Sequence, residues 1–211
     1  MIDARDLRKE YGDFVAVEGS TFSVDQGEVF GVIGPNGAGK TTTLKMLAGL
    51  LEPTGGTAEI AGLDTETPEM REQLGFLPEE SPLYEEMTPI SYLKFFADLY
   101  DVPADVAKER MHETLDELQL EHKQRKLGDM SKGMKRKVAI ARSLINDPAL
   151  VLADEPTGNL DRKTGDQILD LFDELREMED VAVVTVTHDD YVADAADRVV
   201  RLIDGTLREE S

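Results

Sequence analysis

A glycine-rich segment with one lysine and two adjacent threonines carries the clearest chemical signal in this chain. It contains Gly34-x-x-x-x-Gly39-Lys40-Thr41, the full pattern of a phosphate-binding loop. Glycines let backbone N–H groups approach phosphate oxygens, and the lysine and threonine side chains suit the terminal phosphates and Mg²⁺. The residues predicted to bind a nucleoside triphosphate are Gly34, Pro35, Asn36, Gly37, Ala38, Gly39, Lys40, Thr41 and Thr42.

Two acidic residues follow a second apolar run, at residues 150–153. An acid at the end of a buried strand can hold Mg²⁺, and we expect Asp154 to do so with Thr41. Glu155, one residue later, is placed to orient and polarise an attacking water. The alternative is a helix cap or a surface acid pair. Because the chain already has a phosphate-binding loop, the pattern favours catalysis, with Lys40 and Glu155 as catalytic residues.

Two further side chains are candidates for the same site. His188 follows the β-branched run 181–187, and its imidazole could sense the γ-phosphate or position water, so it is the third predicted catalytic residue. Tyr11 lies in a polar turn that could fold back over the base, where its ring would stack on adenine. A packing role for this turn tyrosine is the alternative.

The composition limits the possible classes of protein. The chain has 211 residues and no cysteine, which excludes disulfides and thiolate metal sites. No apolar run reaches the ~18 residues needed to cross a bilayer, and the first residues do not form a signal peptide. We therefore expect a cytoplasmic, soluble protein.

The charge is strongly negative, with 44 acidic and 23 basic residues and a net charge of −21. The acids are spread over many short clusters, which favours adaptation to a salt-rich cytoplasm over an ordinary solvated surface. One segment, residues 123–142 (the basic segment), has eight cationic residues against one acid. This asymmetry suggests that the basic segment faces an anion.

The alternation of apolar runs and amphipathic segments predicts an α/β fold. Strands are expected at 2–7, 20–24, 57–60, 74–77, 150–153, 181–187, 198–203 and 206–207, the last two as an edge hairpin. Helices are expected to begin near Gly39, Thr88, Pro103, Ser131 and Asp161. Residues 1–77 and 148–211 are interpreted as a nucleotide-binding core, and residues 78–147 as an inserted helical subdomain.

Together these motifs resemble the ATP-binding subunit of ABC transporters over essentially the whole chain. Residues 130–134 (the signature segment, Met-Ser-Lys-Gly-Met) look like the family's signature motif, and residues 154–161 look like its second Walker motif and D-loop. The resemblance implies a P-loop NTPase core of mostly parallel sheet, an N-terminal antiparallel β subdomain and an inserted α-helical subdomain. It also implies that Tyr11 stacks on adenine, and that contacts with a partner subunit's ATP come from Ser131, Lys132, Gly133 and Met134. Asp161 would belong to the D-loop.

The chain departs from the family pattern at two places. The usual signature is Leu-Ser-Gly-Gly-Gln, but here Lys132 replaces the first glycine and Met134 the glutamine. Lys132 would add positive charge near the partner's triphosphate and attract the two acidic chains to each other; a solvated basic face is the alternative. Glu79 stands where most of the family has glutamine, and its carboxylate could still contact Mg²⁺. Glu80 is the alternative occupant.

The resemblance implies ATP hydrolysis, with ATP and Mg²⁺ as cofactors, that powers transport through a separate transmembrane permease. Two ATPase subunits would pack head to tail, peripheral on the inner face of the cell membrane. The permease would dock beside Glu79 and around Leu83, Tyr84, Phe95 and Phe96. The sequence near Glu79 and the signature segment are similar to the ABC-2-type exporter branch, whereas residues 157–161 are closer to the lipoprotein-release and cell-division branch. We favour export.

Two other classes are considered. A soluble ABC ATPase that acts on nucleic acid or ribosomes usually has two cassettes or a long insert, and the net charge of −21 opposes nucleic-acid contact, so none is expected. A regulatory subunit that does not hydrolyse ATP is disfavoured because Lys40, Asp154, Glu155 and His188 are all present.

Overall fold

The structure is a computed structural model that describes residues 1–158 and 160–209. Its strands are β1 (Ile2–Tyr11), β2 (Phe14–Val24), β3 (Val29–Ile33), β4 (Gly55–Ile60), β5 (Leu63–Asp64), β6 (Leu74–Leu77), β7 (Leu150–Asp154), β8 (Ala182–Thr187), β9 (Arg198–Ile203) and β10 (Thr206–Glu209). Its α-helices are α1 (Lys40–Leu47), α2 (Pro89–Leu99), α3 (Ala104–Glu117), α4 (Lys132–Ser143), α5 (Arg162–Glu179) and α6 (Asp190–Ala193). Short 3-10 helices span Pro68–Gln73 and Leu127–Asp129.

Six of these strands form the sheet that carries the candidate site. Their order is β10-β9-β3-β8-β7-β6, and all neighbours are parallel except the antiparallel β9–β10 hairpin at one edge. Parallel neighbours need crossover connections, which the helices supply. The carboxyl ends of β3 and β7 therefore meet at one edge of the sheet, where the phosphate-binding loop follows β3 and Asp154 ends β7. The predicted α/β fold, with its edge hairpin, is confirmed.

A separate antiparallel sheet has the order β2-β1-β4-β5. Its first hairpin is longer than predicted, because β1 continues beyond Leu7 to Tyr11, which pairs with Phe14 at the start of β2. Gly12 has φ +60°, a left-handed conformation that permits this tight turn. The strand ends could not be predicted, because the residues near the tip of the hairpin are mostly polar and show little alternation with apolar residues.

The six-stranded sheet separates two hydrophobic cores. Successive side chains of a strand point to opposite faces, so Val184 of β8 packs with Phe30 and Leu44 on one face, whereas Val183 packs with Phe172 on the other. The first core lies between the two sheets and includes α1, and the second contains side chains from α2, α3, α4 and α5. Burial on both faces explains why β3, β7 and β8 are continuous apolar runs.

The predicted helix starts agree with the observed ones. Thr88, Ser131 and Asp161 cap α2, α4 and α5, each side-chain oxygen accepting a hydrogen bond from a backbone N–H three residues later. The first helix, α1, ends at Leu47. Gly49 follows with φ +62°, and a Cβ there would lie 2.3 Å from a backbone oxygen, so the chain must turn at a glycine.

Candidate functional site

The phosphate-binding loop is pressed between the two sheets. Gly39, the N-cap of α1, has φ +103°, and a Cβ on it would lie 2.3 Å from the Ala16 carbonyl oxygen on β2. A Cβ on Gly34 would lie 2.2 Å from the carbonyl oxygen of Leu202 on β9. In addition, the Gly205 N–H in the β9–β10 turn donates to the Ala38 carbonyl at 3.1 Å. The backbone therefore requires glycine at both ends of the loop.

Lys40 is folded back over the loop. Its ammonium donates to the carbonyl oxygens of Gly34, at 2.7 Å, and Pro35, at 3.2 Å. The residue is buried, with 7% exposure, so these bonds satisfy a cation that would otherwise lack partners. An anion bound on the loop could replace both carbonyls as the acceptor of these bonds.

Asp154 lies across from the loop at the end of β7, and it is buried. Burial raises the pKa of its carboxyl group, and the negative charges of Glu79 and Glu155 raise it further, whereas a hydrogen bond from the Thr41 hydroxyl and the Lys40 charge lower it. The structure thus brings Thr41, Glu79 and Asp154 together around one acidic position. Glu79, and not Glu80, faces the predicted site, because Glu80 does not line the cavity described below.

The side chain of Glu155 is held by two neighbours at the end of β8. The Thr187 hydroxyl donates to Glu155 Oε2 at 2.9 Å, and His188 Nδ1 lies 2.7 Å from Glu155 Oε1. The backbone of Glu155 has φ +45°, which is rare outside glycine, and its N–H donates to the Val186 carbonyl at 2.9 Å. The arrangement fixes a buried carboxylate at the edge of the site, and strained backbone of this kind is concentrated at functional positions.

These side chains surround a cavity of about 440 Å³ (the phosphate-loop cavity). It is lined by Tyr11, Phe14, Ala16, Asn36, Gly37, Gly39, Lys40, Thr41, Thr42, Glu79, Asp154, Glu155 and His188. Gly34, Pro35 and Ala38 belong to the loop but do not line the cavity. Tyr11 and Phe14 line it with exposed fractions of 50% and 61%. The lining thus combines the polar groups of the phosphate-binding loop with two exposed aromatic residues.

The signature segment is not part of this cavity. Ser131, Lys132, Gly133 and Met134 are all described, and none of them lines it. Ser131 caps α4 by accepting a bond from the Met134 N–H at 3.2 Å, and both Ser131 and Lys132 are exposed. Met134 packs partly against the second core. The predicted D-loop residue Asp161 also lies outside the cavity and caps α5 through Thr164, and Asn159 lies outside the described residues.

The prediction that the basic segment as a whole faces an anion needs correction, because most of its cations bind groups of the same chain. Lys123, Lys126 and Lys135 form ion pairs with Asp116, Glu86 and Glu85. The remaining contacts are made to uncharged groups: those of Arg136 and Arg142 to backbone carbonyls, and that of Lys137 to the Gln167 amide oxygen. Within the described residues, Arg125 and Lys132 make no such side-chain contact. Three of the eight cations are therefore balanced by an ion pair in the described residues, and Lys132 is among the others.

Three site residues were missed by the sequence analysis. Thr187 could not be recognised from the sequence, because a threonine at the end of a β-branched strand is common and does not by itself indicate a site residue. Phe14 was overlooked because the first hairpin was expected to be shorter. Arg136 was counted as part of an anion-facing surface, whereas it is buried against the ends of β6 and β7.

Comparison with known proteins identifies the family. The family profile described as "ABC transporter" matches residues 17–158. The chain belongs to the ABC transporter ATP-binding family. It is therefore an ATPase subunit of the ABC transporter type.

The relatives of this ABC ATPase include curated proteins and solved structures. The lipoprotein-releasing system ATP-binding protein LolD of Bacteroides thetaiotaomicron is 34% identical over the full length of both chains. The Nod factor export ATP-binding protein I of Burkholderia orbicola is 41% identical over 76% of this chain and 54% of that protein. A solved dimeric structure of MJ0796, a bacterial ABC transporter cassette, has 30% identity and a TM-score of 0.90, covering 99% of this chain and 98% of that one.

The described part of this ABC ATPase contains no helix that is both long and apolar enough to span a bilayer.

Proposed function

We propose that this chain hydrolyses Mg-ATP between two copies packed head to tail, and that it drives export through a separate membrane permease. The observation that carries the proposal is Glu155, a buried carboxylate that Thr187 and His188 hold at the edge of the phosphate-loop cavity. In this scheme Lys40 and the backbone of residues 34–42 bind the phosphates, and Tyr11 stacks on adenine, with Phe14 beside it.

The donor set in the cavity fits Mg²⁺ held jointly with the nucleotide. The described residues contain no cluster of three or more acidic, histidine or cysteine ligands that could hold a metal alone. Mg²⁺ is usually bound by one or two carboxylates together with waters and substrate phosphates, which matches Thr41, Asp154 and Glu79. When bound, the ion neutralises charge on the phosphate oxygens.

Glu155 is the proposed general base. A carboxylate with two fixed hydrogen-bond partners keeps its orientation, so it can accept a hydrogen bond from the attacking water without first reordering its side chain. His188 has 61% of its side chain exposed toward the cavity, and it can contact the γ-phosphate from there. Thr187 is a positioning residue, because it contacts Glu155 and does not line the phosphate-loop cavity.

The proposed dimer brings the signature segment to the partner's ATP. Ser131 and Lys132 are exposed and lie outside the cavity of their own chain, so they are available to a second copy. The solved MJ0796 cassette is dimeric, and one of its structures is bound to ADP and Pi. Lys132 is one of two cations of the basic segment without a contact to a side chain or carbonyl in the described residues, and we propose that it contacts the partner's triphosphate. Asp161 would lie at the same interface.

Residues 78–147, the proposed helical subdomain, would receive the permease. The rings of Tyr84 and Phe95 meet edge to face with centroids 5.8 Å apart, and both side chains are partly exposed. Such an aromatic surface is typical of a protein interface. Export is the proposed direction because relatives from both candidate branches carry names of outward transport or release. The working location would be the inner face of the membrane.

The proposal is tested by the solution mass of Glu155→Gln in molar potassium chloride, with and without Mg-ATP. Blocked hydrolysis should trap a dimer that appears only with Mg-ATP, because the amide keeps the shape of the carboxylate but cannot accept a proton. The double variant Lys40→Ala and Glu155→Gln is the control and should remain monomeric. Nucleotide-independent dimers, or wild-type protein that binds Mg-ATP without hydrolysing it, would contradict the proposal.

The role of Lys132 is tested by Lys132→Gly in the Glu155→Gln background. Loss of a cation near the partner's triphosphate should weaken the dimer and flatten its salt dependence. Arg125→Gly, which removes a second cation of the basic segment outside the signature segment, is the matched control. Equal effects of the two changes would show that general charge, and not a contact, is responsible.

A further inference from the structure

We propose that Arg136 is a positioning residue that holds the backbone of Asp154 and Glu155 in place and connects it to the signature segment. This inference rests on the proposed role of Glu155 as general base. Arg136 lies in the second turn of α4, about 7 Å along the helix axis from Ser131. Its guanidinium reaches the carboxyl ends of β6 and β7, where the cavity begins.

The guanidinium makes a complete set of hydrogen bonds to five backbone carbonyls. Nη1 donates to Pro78 at 2.5 Å and to Glu79 at 3.1 Å, beyond β6. Nη2 donates to Asp154 at 2.8 Å and to Glu155 at 2.9 Å. Nε donates to the carbonyl of Pro156 at 3.0 Å. Arginine has five N–H donors in a planar arrangement, so every donor is used, and three of the five bonds go to the segment that carries the acidic pair.

Burial makes these bonds specific to arginine. Arg136 is 7% exposed, and burial lowers the pKa of its guanidinium to about 10. The negative charge of nearby Asp154 opposes this decrease, and the guanidinium remains charged at neutral pH. A lysine ammonium at this position would have three donors from a single point and could not reach both strand ends. The side chain is also a buried positive charge close to Asp154, Glu79 and Glu155.

The bonds act on the strained part of the site. Glu155 has φ +45°; its N–H donates to the Val186 carbonyl, and its C=O accepts from Arg136 and from the Gly158 N–H at 3.0 Å. A residue in this conformation persists only when its surroundings enforce it. Without Arg136, the carbonyls of Asp154 and Pro156 lose this donor, and the Glu155 carbonyl keeps the Gly158 N–H alone, so Glu155 can relax toward an ordinary conformation that moves its carboxylate.

The same residue connects two sites that act on different ATP molecules. Ser131 begins α4 and is proposed to meet the partner's ATP, whereas Arg136 on the same helix holds Glu155 beside the chain's own ATP. A rigid movement of α4 on dimer closure would shift the five donors and the carbonyls bound to them. Arg136 would thereby make the position of Glu155 depend on the partner.

The test is the steady-state hydrolysis and ATP binding of Arg136→Lys and Arg136→Met, each checked by circular dichroism and thermal melting. We expect kcat to fall by about 10- to 100-fold while the Kd for ATP changes less than about threefold, because misplacement of the base by a fraction of an ångström affects chemistry more than binding. Arg136→Ala should regain part of its kcat with added guanidinium ion, but not with equal potassium chloride.

The matched controls are Arg110→Lys and Arg110→Met. Arg110 also donates to a backbone carbonyl, that of Ile145 at 2.8 Å, and pairs with Asp147, but it does not line the phosphate-loop cavity. These variants should change Tm without changing kcat. If Arg136→Met does not fold, the inference is tested by the kcat of Arg136→Lys and by the guanidinium rescue of Arg136→Ala.

Two results would overturn the inference: Arg136→Lys with wild-type kcat, or a loss of ATP affinity as large as the loss of kcat. Failure of the proposed function gives a different pattern. In that case wild-type protein would not hydrolyse ATP, or Glu155→Gln would hydrolyse it as fast as wild type.

Discussion

His188 Nδ1 lies 2.7 Å from Glu155 Oε1, and this contact determines which ring nitrogen carries a proton when the carboxylate is ionised. An ionised carboxylate can only accept hydrogen bonds, so Nδ1 must carry a proton. In the neutral ring, Nε2 is then an acceptor, whereas in the imidazolium it becomes a donor. The pair can therefore present either a lone pair or an N–H to a group in the cavity, according to the protonation of a single ring.

Thr187→Val should lower kcat by about tenfold with little change in ATP affinity, because the substitution removes one of two bonds that orient Glu155. Thr185→Val is the control on the same strand. Among the described residues the buried Thr185 hydroxyl has no hydrogen-bond partner, so its removal should leave kcat unchanged and stabilise the fold by about 0.5–1 kcal/mol. Equal kcat values for the two variants would exclude a positioning role for Thr187.

Asp154→Asn should stabilise the nucleotide-free protein and abolish hydrolysis. In the folded state burial raises the pKa of Asp154, so the folded protein prefers the neutral form and the ionised carboxylate lowers the free energy of unfolding at pH 7. A gain of about 1 kcal/mol would raise Tm by about 2–4 °C. A lower Tm without nucleotide would show that the carboxylate stabilises the fold, contrary to this argument.

Glu79→Gln should reduce the dependence of ATP binding on Mg²⁺. The carboxylate of Glu79 lies in the cavity near Asp154 and would repel phosphate oxygens when no cation is present. The ratio of Kd values measured in EDTA and in Mg²⁺ should therefore fall by about fivefold. Glu80→Gln is the matched control, and an effect in Glu80→Gln alone would reverse the assignment of the two glutamates.

Tyr191 should ionise at a higher pH than an ordinary tyrosine. Burial raises its pKa above 10.0, and its hydroxyl donates to Asp166 on α5, whose negative charge raises it further. Since the folded pKa exceeds the unfolded one, the stability from this group is fully present below about pH 10 and is lost above it. Tyr191→Phe should remove a late component of the phenolate absorbance titration, above the range of an ordinary tyrosine. An unchanged late phase would contradict this assignment.

The stability of the protein should depend strongly on salt. A net charge of −21 gives self-repulsion that is screened as the Debye length falls from about 10 Å at 0.1 M to about 3 Å at 1 M. Raising potassium chloride over this range should increase Tm by about 5 °C. The increase should shrink at pH 4.5, where carboxylates begin to protonate, and full stability at low salt would exclude adaptation to a salt-rich cytoplasm.

Much of the site could be predicted because its signals are local. The residues of the phosphate-binding loop, Asp154, Glu155 and His188 all follow apolar strands, and parallel strands bring their carboxyl ends to one edge. The caps at Ser131 and Asp161 were also visible, since a cap needs only a polar residue before an amphipathic run.

The parts that could not be predicted depend on contacts between distant residues. Arg136 and Lys132 are both cations at the start of α4, but one is buried under two strand ends and the other is exposed. The two residues contribute equally to the charge of the segment, but their positions around the helix axis determine which side chain faces the sheet. The same is true of Thr187 and Thr185, since only the position of Glu155 distinguishes a bonded hydroxyl from an unbonded one.

The contact of the phosphate-binding loop with the β9–β10 hairpin has a consequence for biosynthesis. The loop is made early, but Gly34 packs against Leu202, and Ala38 accepts a hydrogen bond from Gly205. A nascent chain whose residues 202–205 are still inside the ribosome cannot make these contacts with its phosphate-binding loop. Nucleotide binding should therefore begin only after residues 202–205 have left the ribosome, and a shorter nascent chain should not bind ATP.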